Sequence, residues 1–194
     1  KYKGVSRTMP SYIDGLKGCL IKWVNVHPEN RKKGLPTVMA LIILSDVSTG
    51  IPLCVMDGTC ATALRTGAAG AVAAKYLARK NSHKIAMIGC GVQAKTQLTA
   101  IGQVLPLRSI SAWDINKAAA KRFIKQSKKS GYLEAVVCNS VRQCVENADI
   151  IVTTTPSRKP IIKKEWVKAG AHINAIGADA KGKQELDPGI LKKA

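Results

Sequence analysis

Long apolar runs are missing from this 194-residue sequence: stretches such as Met39 to Leu44 fall far short of the roughly 20 residues a membrane-spanning helix needs. No basic-then-apolar leader is visible, so a soluble cytoplasmic protein is expected. Paired cysteine motifs are also missing. The six cysteines (Cys19, Cys54, Cys60, Cys90, Cys138, Cys144) include no Cys-x-x-Cys, and the three histidines do not lie near them at ligand spacing. Neither a zinc site nor a disulfide framework is therefore expected. Acidic residues are few, 12 against 31 lysines and arginines, which leaves a formal charge of +19. Such a charge raises the question of nucleic acid or an acidic membrane as partner. Aromatics are scarce as well, with one Phe, and no RNA- or DNA-reading motif is recognisable. The basic residues fall mostly on expected helix surfaces and loops (Arg31, Lys32, Lys33; Lys117, Lys121, Lys125, Lys128, Lys129). They read as a solvated face, with no nucleic-acid or membrane partner.

The length allows one large domain or two small ones with a real core. A start at Lys1 rather than Met, and an end at Ala194 just as a helix begins, suggest part of a longer protein. Residues 18–26, 37–47 and 51–56 are rich in Val, Ile and Leu and bounded by turn formers, which predicts strands. The short Asp46 to Gly50 connection predicts a hairpin, hence an antiparallel sheet. From Cys60 to Arg79 small, helix-favouring residues predict a long, closely packed helix, and the domain boundary is placed at its start, after Thr59. Beyond it strands alternate with helical stretches: 84–88 and 93–104, 109–113 and 117–128, 134–138 and 140–147, then 150–154 and 172–176. That alternation requires crossover connections, so the expected fold is α/β. It combines a Rossmann doubly wound parallel sheet with part of an α+β substrate-binding or dimerisation domain.

The strand Ile85-Ala86-Met87-Ile88 runs into Gly89-Cys90-Gly91-Val92-Gln93-Ala94, a GxGxxA turn that opens a helix. Gly89 permits the tight turn, Gly91 has no side chain to block a pyrophosphate, and Ala94 lets the helix approach the sheet. The helix start, at Val92 and Gln93, would offer free N–H groups to the phosphates. The next strand ends at Asp114, placed to accept hydrogen bonds from an adenosine ribose; an ordinary strand-end turn is the alternative. A carboxylate there repels a 2′-phosphate, and no Arg follows it, which favours NAD over NADP. Thr154 and Thr155 sit at another strand's carboxyl edge, as cofactor contacts or as plain β-branched strand residues.

Hydride chemistry belongs to such a cofactor, so the protein must grip the substrate and move protons. Arg65 lies in an otherwise small, apolar helix, where an unpaired guanidinium is costly. It should meet a substrate carboxylate, or an internal acid such as Asp57. Lys22 interrupts an apolar strand, either as a proton-transfer group with a depressed pKa or as an exposed lysine. Asp179 follows the 172–176 strand on the side where a nicotinamide would lie, and could activate water or deprotonate an amine.

Several strings occur in order along the chain: Lys22-Trp23-Val24-Asn25-Val26-His27-Pro28, Gly34-Leu35-Pro36-Thr37, Met56-Asp57-Gly58-Thr59, Ala63-Leu64-Arg65-Thr66, the GxGxxA turn, and His172 through Asp187. Together they resemble the ornithine cyclodeaminase/μ-crystallin family, which includes archaeal-type alanine dehydrogenases. The resemblance covers essentially the whole chain. It implies a two-domain, homodimeric NAD(P) enzyme whose first domain is built from both chain ends. It further implies that Arg7, Lys22, Thr37 and Arg65 surround the substrate carboxylate and reacting centre. Thr66 would contact the cofactor, and Asp179 would be the catalytic acid or base. The thyroid-hormone-binding branch of the family lacks that aspartate, so Asp179 leans towards catalysis. Residues Gly177-Ala178-Asp179-Ala180-Lys181-Gly182-Lys183-Gln184-Glu185 depart from the Gly-Gly-Asp-Cys-Pro-Gly-Lys-Thr-Glu form of the cyclodeaminases. The expectation is therefore alanine dehydrogenase, with ornithine cyclodeaminase, imine reductase or a non-catalytic binding protein as alternatives.

Overall fold

The computed structural model describes residues 4–132 and 134–192. The chain forms two compact units, Lys1–Leu64 and Arg65–Ala194. The division falls inside helix α1 (Thr59–Leu77), whereas the sequence places the boundary at that helix's first residue.

In the first unit β1 (Val5–Tyr12), β2 (Gly18–Val26), β3 (Val38–Asp46) and β4 (Pro52–Asp57) form an antiparallel sheet in sequence order. The β3–β4 hairpin turns where the sequence predicts. Asp46 takes hydrogen bonds from the amides and hydroxyls of Ser48 and Thr49 at 2.7 to 3.0 Å. The Ser48 hydroxyl first, then Thr49, hold its carboxyl down at about 2. Strand β1 is absent from the sequence reading. Its run Val5-Ser6-Arg7-Thr8-Met9-Pro10 lacks a clear apolar alternation, and Pro10 argues against a strand. A proline is nevertheless tolerated on an edge strand, and β1 is the edge next to β2.

In the second unit β5 (Lys84–Ile88), β6 (Ser109–Trp113), β7 (Glu134–Val137), β8 (Ile150–Thr153) and β9 (His172–Ala175) form a sheet of order β7-β6-β5-β8-β9. Every neighbouring pair in it is parallel. Helices α2 (Val92–Gly102), α3 (Lys117–Lys129), α4 (Val141–Val145) and α5 (Pro188–Leu191) follow β5, β6, β7 and β9. Alternate strand residues feed two cores. Ile85, Met87, Ile110, Ala112, Ile150 and Val152 pack with Ala74 of α1, Leu98 and Ile101 of α2, and Phe123 of α3. Ala86, Ile88 and Ile151 pack on the other side with Cys144 and Val145 of α4 and with Ile162. The sheet is covered on both faces, as near-continuous apolar parallel strands require. Among the described residues no helix is long and apolar enough to cross a membrane.

One buried carboxylate fastens the amino edge of this sheet. Asp149 accepts the N–H groups of His83 and Lys84, each at 2.9 Å, and the Lys168 ammonium at 2.6 Å. Burial by itself raises its pKa. The Lys168 hydrogen bond, the two amides and the Lys168 charge outweigh that and hold it at about 2. Because the folded value lies below the usual 3.8, this stabilisation is present above pH 4 and is lost as pH falls towards 2. We expect Asp149→Asn to destabilise the protein by about 2 kcal/mol at pH 7, with the gap to wild type closing between pH 4 and pH 2. Urea unfolding across that range checks this. Equal stability at pH 7 would remove Asp149 from the account.

Candidate active site

Parallel strands deliver their following loops to one edge, so the ends of β5, β6, β8 and β9 build a common polar rim. Gly89 leaves β5 with φ of +88°, a conformation costly for any residue with a Cβ. A Cβ there would also lie 3.0 to 3.1 Å from the Thr155 methyl and the Thr154 carbonyl and hydroxyl oxygens. The turn is pinned to its neighbours. The Gly89 amide donates to the Trp113 carbonyl at 2.9 Å, and the Thr154 hydroxyl donates to the Gly89 carbonyl at 3.0 Å.

Helix α2 then starts with Gly91 as its N-cap, and no side chain caps it. The first-turn amides, those of Val92, Gln93 and Ala94, therefore keep their donors for an anion, with the helix dipole adding partial positive charge. Ala94 is fully buried against the sheet, as the close helix approach demands, while Val92 is exposed and Gln93 half-buried. The Cys90 thiol is pushed up to about 12, by burial and then by the charge of Asp114, so it fills space and is no nucleophile.

Asp114 is half-buried at the end of β6. One carboxylate oxygen accepts the Cys90 amide and the other the Asn116 amide, both at 2.8 Å. Each oxygen retains lone pairs for further donors such as ribose hydroxyls. The next residue is Ile115, apolar and 90% exposed, and not an arginine that would meet a 2′-phosphate. These residues fit the adenosine and pyrophosphate of a dinucleotide on three separate counts: an open turn, uncapped amides and a carboxylate with free lone pairs.

Asp179 follows β9 at the same edge and is exposed, with the Lys183 ammonium 2.5 Å from its Oδ1. Behind it lies Glu185, a residue the sequence reading did not single out, which is 1% exposed. It accepts from the Thr153 hydroxyl, the Thr155 amide and hydroxyl and the Gly177 amide, at 2.7 to 2.9 Å. A single acid between Gln184 and Leu186 carries no sequence signal of burial; only the fold supplies one.

The remaining expected residues are spread over α1 and the first unit. Arg7 pairs with Val24, and Met9 with Lys22, so Arg7 and Lys22 are diagonal neighbours on one sheet face. Both are half-buried. Thr37 precedes β3, and its carbonyl accepts the His27 amide at 2.8 Å. On α1 the Thr66 carbonyl accepts the Gln97 amide group at 2.7 Å. Arg65 is exposed, so the desolvation argument for its needing an anion does not hold. Asp57, the suggested internal partner, accepts the Thr59 amide and hydroxyl at 2.9 and 3.0 Å. Among the described residues no group of His, Cys, Asp or Glu could hold a metal ion.

The order of the parallel sheet and the glycine turn at its centre define a Rossmann-type dinucleotide-binding unit. The chain as a whole belongs to the ornithine cyclodeaminase/mu-crystallin family, whose model matches residues 1–194. It is 54% identical to an alanine dehydrogenase of Archaeoglobus fulgidus and 40% identical to an ornithine cyclodeaminase of Brucella abortus, over 99% of its own length in each case. It spans 58% and 53% of those relatives, little more than half. It also superposes with a TM-score of 0.93 on an archaeal alanine dehydrogenase dimer with bound NAD, at 53% identity, covering 99% of this chain and 58% of that one.

The geometry at Gly89 generates a prediction that needs no ligand. Gly89→Ala should lower unfolding free energy by about 1–3 kcal/mol, the cost of forcing a Cβ into left-handed backbone against Thr154 and Thr155. Urea denaturation measures it, and an unchanged midpoint would show that the turn relaxes freely.

Proposed function

We propose that the protein carrying this chain is an NAD-dependent enzyme acting on a small L-amino acid, and that it oxidises L-alanine to pyruvate and ammonia. The observation that carries this reading is the shared carboxyl edge. The Gly89–Gly91 turn and the α2 amides lie along the same rim from which β9 presents Asp179. Similarity to an alanine dehydrogenase at 54% identity supports the choice of substrate.

A nicotinamide dinucleotide held by Gly89, Gly91, Val92, Gln93, Ala94, Asp114, Thr154 and Thr155, with Thr66 alongside, would supply hydride acceptance. The chain's own residues do the rest. Arg7, Lys22, Thr37 and Arg65 grip the substrate carboxylate and fix the α-carbon, and that positioning supplies much of the acceleration. Lys22 handles protons at the amino group. Asp179 then takes a proton from water as it attacks the imine carbon, and ammonia leaves. If the attacking group is instead the distal amine of ornithine, ammonia leaves to give a cyclic imine, and return of the hydride to that carbon would give proline with no net NADH. The 40% identity to an ornithine cyclodeaminase makes this the second reading.

The first unit supports a homodimer. Ile21, Trp23, Leu41, Ile43 and Val55 share one sheet face by register, and all are exposed. An apolar face of this kind marks an interface, and we assign a second copy to it.

Incubating the intact protein with NAD and a panel of amino acids separates the readings. Alanine should give NADH and ammonia in equal amounts; ornithine giving proline and ammonia without NADH would install the second reading. Asp179→Asn should lower kcat by roughly 10²- to 10⁴-fold while NADH affinity stays within a few-fold. Unaltered turnover in that variant would sink the proposed role.

A further inference from the structure

We propose that Glu185 is the positioning residue of the catalytic edge, a buried carboxylate that clamps the Asp179 loop to the cofactor-facing threonines. This rests on the reading of Asp179 as the acid–base group. The segment around Glu185 is held in place first by its backbone. The Gln184 amide donates to the Ser157 carbonyl at 3.0 Å, the Ile161 and Ile162 amides donate to the Glu185 carbonyl at 2.8 and 3.1 Å, and the Asp187 amide donates to the Ile162 carbonyl at 2.9 Å. This short ladder fixes the Glu185 side chain beneath the ends of β8 and β9.

Both carboxylate oxygens then collect donors from two different strands. Oε1 takes the Thr155 amide and hydroxyl, each at 2.7 Å. Oε2 takes the Thr153 hydroxyl at 2.7 Å and the Gly177 amide at 2.9 Å. Four converging donors require an acceptor-only group, and only a carboxylate is one among side chains of this size. A Cβ at Gly177 would sit 2.1 Å from the Thr155 carbonyl oxygen and 2.5 Å from Oε1, so glycine is required there.

The clamp reaches in both directions along the rim. Through Thr155 it reaches Thr154, whose hydroxyl holds the Gly89 carbonyl of the phosphate turn. Through Gly177 it fixes the residue from which the chain runs to Asp179. The Asp179 loop is thus closed at both ends, by Gly177 and Glu185, around a turn in which the Lys183 amide donates to the Ala180 carbonyl at 3.0 Å. Glu185 touches neither substrate nor cofactor; it sets the distance between the group that moves protons and the threonines that face the cofactor.

Glu185→Gln tests this in the intact protein. The amide keeps one acceptor but turns an NH2 towards either the Thr155 or the Gly177 N–H, neither of which can reverse its role. We expect kcat per NADH-binding site to fall roughly 10- to 100-fold, since displacement of a catalytic group by about 1 Å has that effect. NADH affinity by fluorescence titration should stay within about threefold, because the α2 amides and Asp114 are untouched. Hydrogen exchange at the Thr155 and Gly177 amides should rise while that at Cys90, held by Asp114, should not. Thr153→Val, which removes one donor with little change in shape, should reproduce the pattern at smaller amplitude, and decides the matter if the Gln variant does not fold. A purely structural Glu185 would reduce the fraction of NADH-binding sites and leave kcat per site unchanged, and that result overturns the proposal. If the wild-type protein turns over no amino acid, the functional reading fails, while the clamp itself still stands or falls on the exchange data.

Discussion

A parallel sheet that gathers all its loops at one edge concentrates unpaired backbone N–H groups there, and this constraint governs the rest of the second unit. Some of those groups must be satisfied from within, because buried orphans are expensive; others must stay free to hold a ligand. The chain solves this with its few acids. Asp114 and Glu185 each accept two backbone amides at the carboxyl edge, and Asp149 accepts two at the amino edge. The amides at the start of α2 receive no such side chain. The distinction between donors consumed and donors left over is what makes one rim of the sheet a site.

This placement also gives the strong positive charge a simple context. With only 12 acidic residues against 31 basic ones, a carboxylate is a scarce resource in this sequence. Several of them terminate strands and turns, as Asp46, Asp57 and Asp187 also do by accepting amides of following residues. The lysines of α3 remain on a solvated helix face opposite its buried Phe123 and Ile124. A net positive field of this size favours approach of anionic groups such as a dinucleotide's pyrophosphate, without specifying them.

The architecture was legible because its signals are local. Apolar runs flanked by glycine and aspartate mark β2, β5, β6 and β8, and the GxGxxA turn names its own function through the absence of side chains. Strand β1 was not legible, since an edge strand needs neither alternation nor a donor at Pro10. Helix α4 shrank to Val141–Val145 from the expected 140–147, because Glu146 already leaves the helix, with ψ of 128°. In the site, residues marked by backbone geometry were readable, such as Gly89 and Ala94. The burial expected of Arg65 does not occur, because a small-residue helix need not be buried all round. Glu185 was invisible because its burial arises from three separate segments, 153–155, 177 and 157–162, that meet only in the folded chain.

The contrast between Glu185 and Asp179 shows why one chain uses two carboxylates so differently within seven residues. An acceptor surrounded by short, fixed donors cannot change position without breaking several hydrogen bonds at once, so it suits a clamp. Asp179 is solvent-exposed and pairs with the Lys183 ammonium across a turn. Exposure keeps a carboxylate accessible to an incoming ligand. On the proposed reading, rigidity at position 185 complements exposure at position 179: the loop's ends are fixed so that its middle meets a ligand without drifting from the strands that align it.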